Sequence, residues 1–167
     1  MDLGIAPDDR IVVLGSSGWF GREFLAMAES SSLSVLGVPG PSQGGGASEA
    51  QIAEFDPTVV LNFAFLTREQ VDGRGENEFA RINAQLTQRF VRLASGNSVR
   101  LALTVSSGAA IAEPEHPYGR MKVEEEGLAL ELVNELRRVV VLRAYAVSGG
   151  YVRRPRDYAF SDMILQA

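Results

Sequence analysis

Tyr118 and Lys122 stand four residues apart in the stretch Tyr118-Gly119-Arg120-Met121-Lys122. On a helix, side chains at i and i+4 share one face, a turn apart. An ammonium placed there lies near the phenol and lowers its pKa, because a positive charge favours phenolate. A free phenol, with a pKa of about 10, carries protons poorly near neutrality, and such tuning makes it a usable acid or base. The spacing alone also fits an aromatic on a core face beside a solvated lysine. Two further features give it weight: a glycine-rich turn near the N-terminus, and the pair Ser106-Ser107, twelve and eleven residues upstream of Tyr118.

The elements that must position these groups follow from hydrophobic patterning. Ile11-Val12-Val13-Leu14 is a continuous apolar run, as expected of a parallel strand buried on both faces. It leads into Gly15-Ser16-Ser17-Gly18-Trp19-Phe20-Gly21 and then a helical pattern over 22–30, with Phe24, Leu25 and Ala28 on one side. In a G-x-x-G-x-x-G turn the first glycine permits the tight turn and the second lets backbone approach a pyrophosphate. The third allows close helix–strand packing, with phosphate on the helix N-terminus. The same glycines could also serve a tight turn alone. Residues 33–38 read as a second strand, followed by Pro39 rather than the acidic residue that usually holds ribose hydroxyls. No arginine for a 2′-phosphate follows either, so the cofactor choice stays open.

Residues 44–47 read as a flexible loop, with Ser48 capping a short helix over 49–55. Little room remains for a strand between 39 and 47, so the third strand is expected to be shortened or lost. A buried strand over 59–65 is followed by an expected surface loop, 67–78. A long helix over 78–94 carries Phe79, Ile82, Leu86, Phe90 and Leu93 at helical spacing, with Asn83 beside that stripe. A strand over 101–105 ends at Ser106-Ser107. A short loop with Pro114, His116 and Pro117 then enters the Tyr118 helix, expected to run to Leu136. His116 reads as an exposed loop residue, and Ser106 as structural. A last strand covers 139–143, a basic patch lies at Arg153, Arg154 and Arg156, and a final helical pattern begins near Ser161. The alternation predicts an α/β, doubly wound parallel sheet with helices on both faces.

The 167 residues suffice for one domain with a real core, and 46% hydrophobic content is that of a globular protein. A net charge of −5 with no long basic tract argues against nucleic acid as a partner. There is no cysteine and a single histidine, so no metal site is expected. No apolar run approaches the roughly 18 residues that span a bilayer. The N-terminal ten residues lack a signal-peptide layout, and the cytoplasm is the expected location.

With these residues assembled, the chain resembles the extended short-chain dehydrogenase/reductase superfamily, specifically its NAD-dependent epimerase/dehydratase group acting on nucleotide sugars. The resemblance runs from Ile11 to about Gly149. The Gly15–Gly21 stretch is similar to that group's G-x-x-G-F-x-G turn, and residues 56–64, Asp-Pro-Thr-Val-Val-Leu-Asn-Phe-Ala, to its D-P-D-V-V-x-x-x-A segment. Asn83 matches an asparagine in the following helix, and Val105-Ser106-Ser107 the strand end bearing the catalytic serine or threonine. Pro117-Tyr118-Gly119-Arg120-Met121-Lys122 matches P-Y-x-x-x-K, and Val141-Leu142-Arg143 the strand before an R-P-x-N turn.

The resemblance implies a Rossmann-like fold and a Ser107-Tyr118-Lys122 site with hydride transfer to or from nicotinamide. Tyr118 is the implied acid/base, Lys122 lowers its pKa and holds the nicotinamide ribose, and Ser107 bonds the reacting oxygen. NAD or NADP, with NAD favoured, is expected on Gly15, Ser16, Ser17, Gly18, Trp19, Phe20, Gly21, Asn62, Phe63, Ala64, Asn83, Tyr118 and Lys122. Ser107, Arg143 and Arg153 are the expected contacts to a nucleotide-sugar substrate. A homodimer through the two long helices is also implied, with Phe79, Phe90, Leu128 and Leu132 as candidates that packing on the sheet would equally explain. The chain departs from the pattern in the missing acidic residue after the second strand, the short serine–tyrosine loop and Arg143-Ala144-Tyr145-Ala146 in place of R-P-x-N. Residues 1–167 are expected to form the dinucleotide-binding domain, with the C-terminal substrate lobe absent or only begun at about 151–167. Truncation, or a second subunit covering the substrate side, would account for this. The alternative is a non-catalytic dinucleotide-binding or assembly subunit that keeps the fold; a remnant that binds nothing is the third reading.

Overall fold

The apolar runs form strands that pair side by side. The computed structural model describes residues 4–40, 46–145, 147, 149–152, 156, 163 and 166. In chain order the elements are β1 (Arg10–Leu14), α1 (Trp19–Ala28), β2 (Ser34–Val38), α2 (Glu49–Phe55), β3 (Val59–Asn62) and a 3-10 turn (Arg68–Gln70). There follow α3 (Val71–Arg74), α4 (Glu76–Ala94), β4 (Leu101–Ser107), α5 (Ala109–Ala112), α6 (Pro117–Leu130) and β5 (Arg138–Ala144). All strand pairs are parallel, in the order β2-β1-β3-β4-β5. No further strand lies between β2 and β3 among the described residues, as the short 39–47 connection required. The order reverses between β1 and β3, so the crevice of this doubly wound sheet opens there, at the carboxyl ends of the strands.

Strand pleating sends alternate residues to opposite faces. Val12, Leu14, Val60 and Ala102 meet Ile52 of α2, Phe90 and Ala94 of α4, and Ala129 of α6. Ile11, Val13, Val59, Leu61 and Leu103 form the other layer with Phe24 of α1. Ser48 and Gln51 form a reciprocal capping box on α2, as the Ser48 cap predicted. No helix among the described residues is long and apolar enough to cross a membrane.

Four local expectations are corrected. Residues 67–78 are not an open loop: they form the 3-10 turn and α3, with Val71 packed on Phe79 and Met121. The loop after Ser107 contains α5. The α6 helix ends at Leu130, not Leu136, because Asn134 Oδ1 accepts from Leu136 N and Arg137 N and turns the chain. Phe79 and Phe90 are fully buried inside one chain and are unavailable to a dimer contact. The final helical pattern near Ser161 lies outside the described residues.

Candidate functional site

The glycine-rich turn follows β1 directly and is built to have no side chains at two points. Gly15 has a φ of +76°, and a Cβ there would sit 2.6 Å from Ala64 N and 2.7 Å from the Phe63 carbonyl carbon. Gly21, in the first turn of α1, would place a Cβ 2.6 Å from Ser16 Cα. The turn therefore lies backbone to backbone against the end of β3. Gly15 N and Ser16 N both donate to Val38 O, at 2.8 and 3.0 Å, and Ser17 Oγ accepts from Gly40 N at 3.3 Å. Gly18 is the N-cap of α1, whose first turn has no side-chain cap and no acidic residue. Such a helix N-terminus favours an anion. Trp19 stacks on Phe20, and Phe20 and Phe24 flank Phe63. These rings wall the turn on the side of β3.

The Tyr118 turn lies at the same end of the sheet. Pro117 opens α6, and His116, expected as an exposed loop residue, caps it by accepting from Tyr118 N at 3.2 Å. Gly119 permits α5 to lie directly on this turn: a Cβ would meet Ala109 O at 2.7 Å and fall inside contact with Glu113 O. Since α5 begins two residues after Ser107, this packing ties the end of β4 to the start of α6. Ser107 is half-buried and its Oγ accepts from Ala109 N at 3.2 Å. Tyr118 is half-buried and forms a T-shaped ring pair with Phe65, centroids 6.0 Å apart.

Lys122 is 3% exposed. Its Nζ donates to Val105 O at 2.8 Å and Glu125 Oε2 at 2.7 Å, and lies 3.5 Å from the centre of the Phe65 ring. Burial pushes this ammonium below the ordinary lysine value, opposed by Glu125 and more weakly by Glu126. Glu125 Oε1 accepts from Thr104 Oγ1 at 2.7 Å and Asn62 Nδ2 at 2.8 Å. Asn62 is thus committed inward, and its Oδ1 accepts from Ala64 N at 3.2 Å. Asn83 is also fully buried and accepts from Leu66 N at 2.8 Å. Both asparagine side chains bond the backbone after β3. Asn83 Nδ2 and Thr87 Oγ1, a turn apart on α4, are buried with no partner among the described residues.

Arg143, on β5, lies beside Glu126 with Nε at 2.8 Å and Nη2 at 2.5 Å from its carboxylate. Ser106 Oγ donates to the same carboxylate at 2.5 Å. The Arg143 guanidinium holds the Glu126 carboxyl below the usual carboxylate range; burial works against this and Ser106 adds to it. Arg153 lies outside the described residues. Glu125 and Glu126 escaped the sequence reading, because acidic residues in a helix ordinarily face water. Their one signal was spacing: three and four residues beyond Lys122, they share its face.

No protein-family model and no curated protein matches the sequence. Solved structures do match the fold. MoeE5 in complex with UDP-glucose and NAD is 22% identical, with a TM-score of 0.72 over 93% of this chain and 60% of its own. A UDP-galactose 4-epimerase is 19% identical, with a TM-score of 0.73 over 94% of this chain and 62% of its own. The UDP-glucuronic acid 4-epimerase from Bacillus cereus, in complex with NAD, is 20% identical, with a TM-score of 0.70 over 94% of this chain and 63% of its own. The chain therefore spans about three fifths of the length of these proteins. Sheet order, glycine turn and crevice together give this chain the Rossmann-like α/β fold of those UDP-sugar epimerases.

Proposed function

We propose that this chain is the dinucleotide-binding part of an NAD(P)-dependent epimerase/dehydratase or ketoreductase acting on a nucleotide-activated sugar. The observation that carries the reading is one juxtaposition. The glycine-rich Gly15–Gly21 turn and the Ser107–Tyr118 pair of turns stand at the same end of one parallel sheet, the end where such sheets bind ligands. The uncapped first turn of α1, the close approach at Gly15 and the aromatic wall of Trp19, Phe20 and Phe63 fit a dinucleotide pyrophosphate. Similar structures solved with NAD support the same assignment. Nicotinamide, when bound, supplies the acceptor and donor of hydride.

The residues of the chain then divide the remaining work. Tyr118 takes or gives the proton of the sugar hydroxyl or carbonyl. The Ser107 hydroxyl bonds that same oxygen while its lone pair keeps Ala109 N. Lys122 supplies the positive charge that makes the phenol a usable acid/base. Arg143, and Arg153 from the sequence resemblance alone, are the proposed contacts to the sugar nucleotide, and the cytoplasm is the compartment such a substrate implies. Two copies associate through α4 and α6, where Val123 and Leu130 stand exposed; light scattering showing a monomer at high concentration would remove this.

The test is calorimetric titration with NAD⁺, NADH, NADP⁺ and NADPH, followed by turnover of UDP-sugars by wild type and Tyr118→Phe. Binding of one dinucleotide and loss of turnover in the variant are expected. Full turnover by Tyr118→Phe would overturn the mechanism. A second reading, a non-catalytic dinucleotide-binding or assembly subunit, draws on the engagement of Lys122 by Glu125 and Val105 O. Dinucleotide binding with no turnover across UDP-sugars would select it.

A further inference from the structure

Of the sixteen lysine and arginine side chains in the sequence, Lys122 is the one lysine. Every other cation is arginine, which keeps its proton at any pH a protein meets. Of these sixteen cationic side chains, the one able to release a proton is therefore also deeply buried. Two protein oxygens and one ring face surround its ammonium: Glu125 Oε2, Val105 O and Phe65. Glu125, 1% exposed, is held in turn by Thr104 on β4 and Asn62 on β3, neighbours across the sheet. Both anchoring hydrogen bonds run to one carboxylate oxygen, leaving the other for Lys122. Phe65 has Lys122 over its ring and forms a T-shaped pair with Tyr118, so the charge lies one ring away from the phenol.

We propose that Glu125 is a positioning residue for the acid/base: anchored by Asn62 and Thr104, it keeps Lys122 charged and fixed against Phe65 beside Tyr118. The inference rests on the Tyr118 reading above and adds a residue to it. Without Glu125, the apolar surroundings favour the neutral amine. The charged groups facing Lys122 are Glu125 and, farther off, Glu126, the latter paired with Arg143. Glu126 therefore offers little replacement.

A single lysine makes the test specific. Protein grown with ¹³C,¹⁵N-lysine gives one side-chain resonance set, whose pH titration reads Lys122 directly, and ring-labelled tyrosine, assigned with Tyr118→Phe, reads the phenol. In Glu125→Gln the Lys122 midpoint should fall by about 1–3 pH units, and the Tyr118 midpoint should rise. An unchanged Lys122 midpoint in folded Glu125→Gln would overturn the proposal. If that variant fails to fold, Thr104→Val decides, since it removes one anchor and leaves the ion pair. A smaller fall in the same direction supports the proposal, and no change overturns it. The titration needs neither dinucleotide nor sugar. A chain that binds no NAD would thus sink the functional reading while leaving the Lys122 result fully readable.

Discussion

Replacing Gly119 by alanine places a methyl group against the carbonyls of Ala109 and Glu113, both backbone atoms that cannot swing aside. Both carbonyls are also pinned: Ala109 O accepts from Glu113 N and Glu113 O from His116 N. The same substitution at Gly127, on the same helix, meets nothing within 4 Å. Each exchange gains roughly 0.5–1 kcal/mol of helix propensity. Only Gly119→Ala adds an overpacking cost of about 1–3 kcal/mol. The two variants should therefore differ by about that overpacking cost, with Gly127→Ala more stable than wild type. For a chain of this size that difference is roughly 2–12 °C in Tm, readable by circular dichroism with urea unfolding as a check. Relief of the clash must move α5 or the first turn of α6, and with it Tyr118 relative to Ser107. A misplacement near 1 Å costs about 10²-fold in turnover, while dinucleotide binding at the Gly15 turn should persist. Equal stabilities of the two variants would refute the packing of α5 on Tyr118's turn, and with it the argument that joins β4 to α6.

Three further outcomes follow from the same geometry. Burial raises the Asp9 carboxyl, but Arg100, Ala6 N and Thr58 together hold it below its usual value. Its contribution to stability is therefore present above the ordinary carboxylate range and lost as pH falls through the depressed folded value; Asp9→Asn should cost about 1–3 kcal/mol at neutral pH and converge with wild type in acid. Trp19, the only tryptophan, sits in the first turn of α1; dinucleotide binding should change its fluorescence in wild type and fail to in Gly15→Ala. Lys122→Met leaves Glu125 buried without its cation and should cost about 3–5 kcal/mol, whereas adding Glu125→Met should recover part of this. Additive losses in urea unfolding would contradict the pairing.

The sheet was legible because its strands are continuous apolar runs, and the glycine turn because Gly15 and Gly21 leave no alternative where backbones touch. The long-range consequences were not legible. Nothing in a linear reading says that Phe79 turns onto Val71 and Met121, or that Asn134 ends α6 early. The 67–78 segment looked polar enough for a loop, yet one buried side chain, Val71, suffices to hold a turn of helix there. For the α4 stripe the apolar spacing named Phe79, Ile82, Leu86, Phe90 and Leu93. Phe79 and Phe90 are buried, but the other deep positions are Asn83, Thr87 and Ala94 rather than Ile82, Leu86 and Leu93, because the helix turns two polar residues inward.

The largest departure from hydrophobic patterning is α6, which buries Lys122, Glu125 and Glu126 and exposes Val123 and Leu130. Apolar burial, confined mainly to Met121 and Ala129, does not by itself orient such a helix. Its partner surface is a polar stripe on one sheet face: Asn62 beside Thr104, and Ser106 beside Arg143. Glu125 takes the first pair and Glu126 the second, one turn-face matched to two strand positions. A one-residue rotation of the helix would strand two carboxylates and an ammonium in apolar surroundings, a cost of several kcal/mol per ion. The polar contacts therefore fix the rotation of α6, and the rotation of α6 fixes where Tyr118 points. On this argument the acidic run after Lys122 belongs to the proposed acid/base site as much as Tyr118 does: it fixes the rotation of the helix that carries the tyrosine.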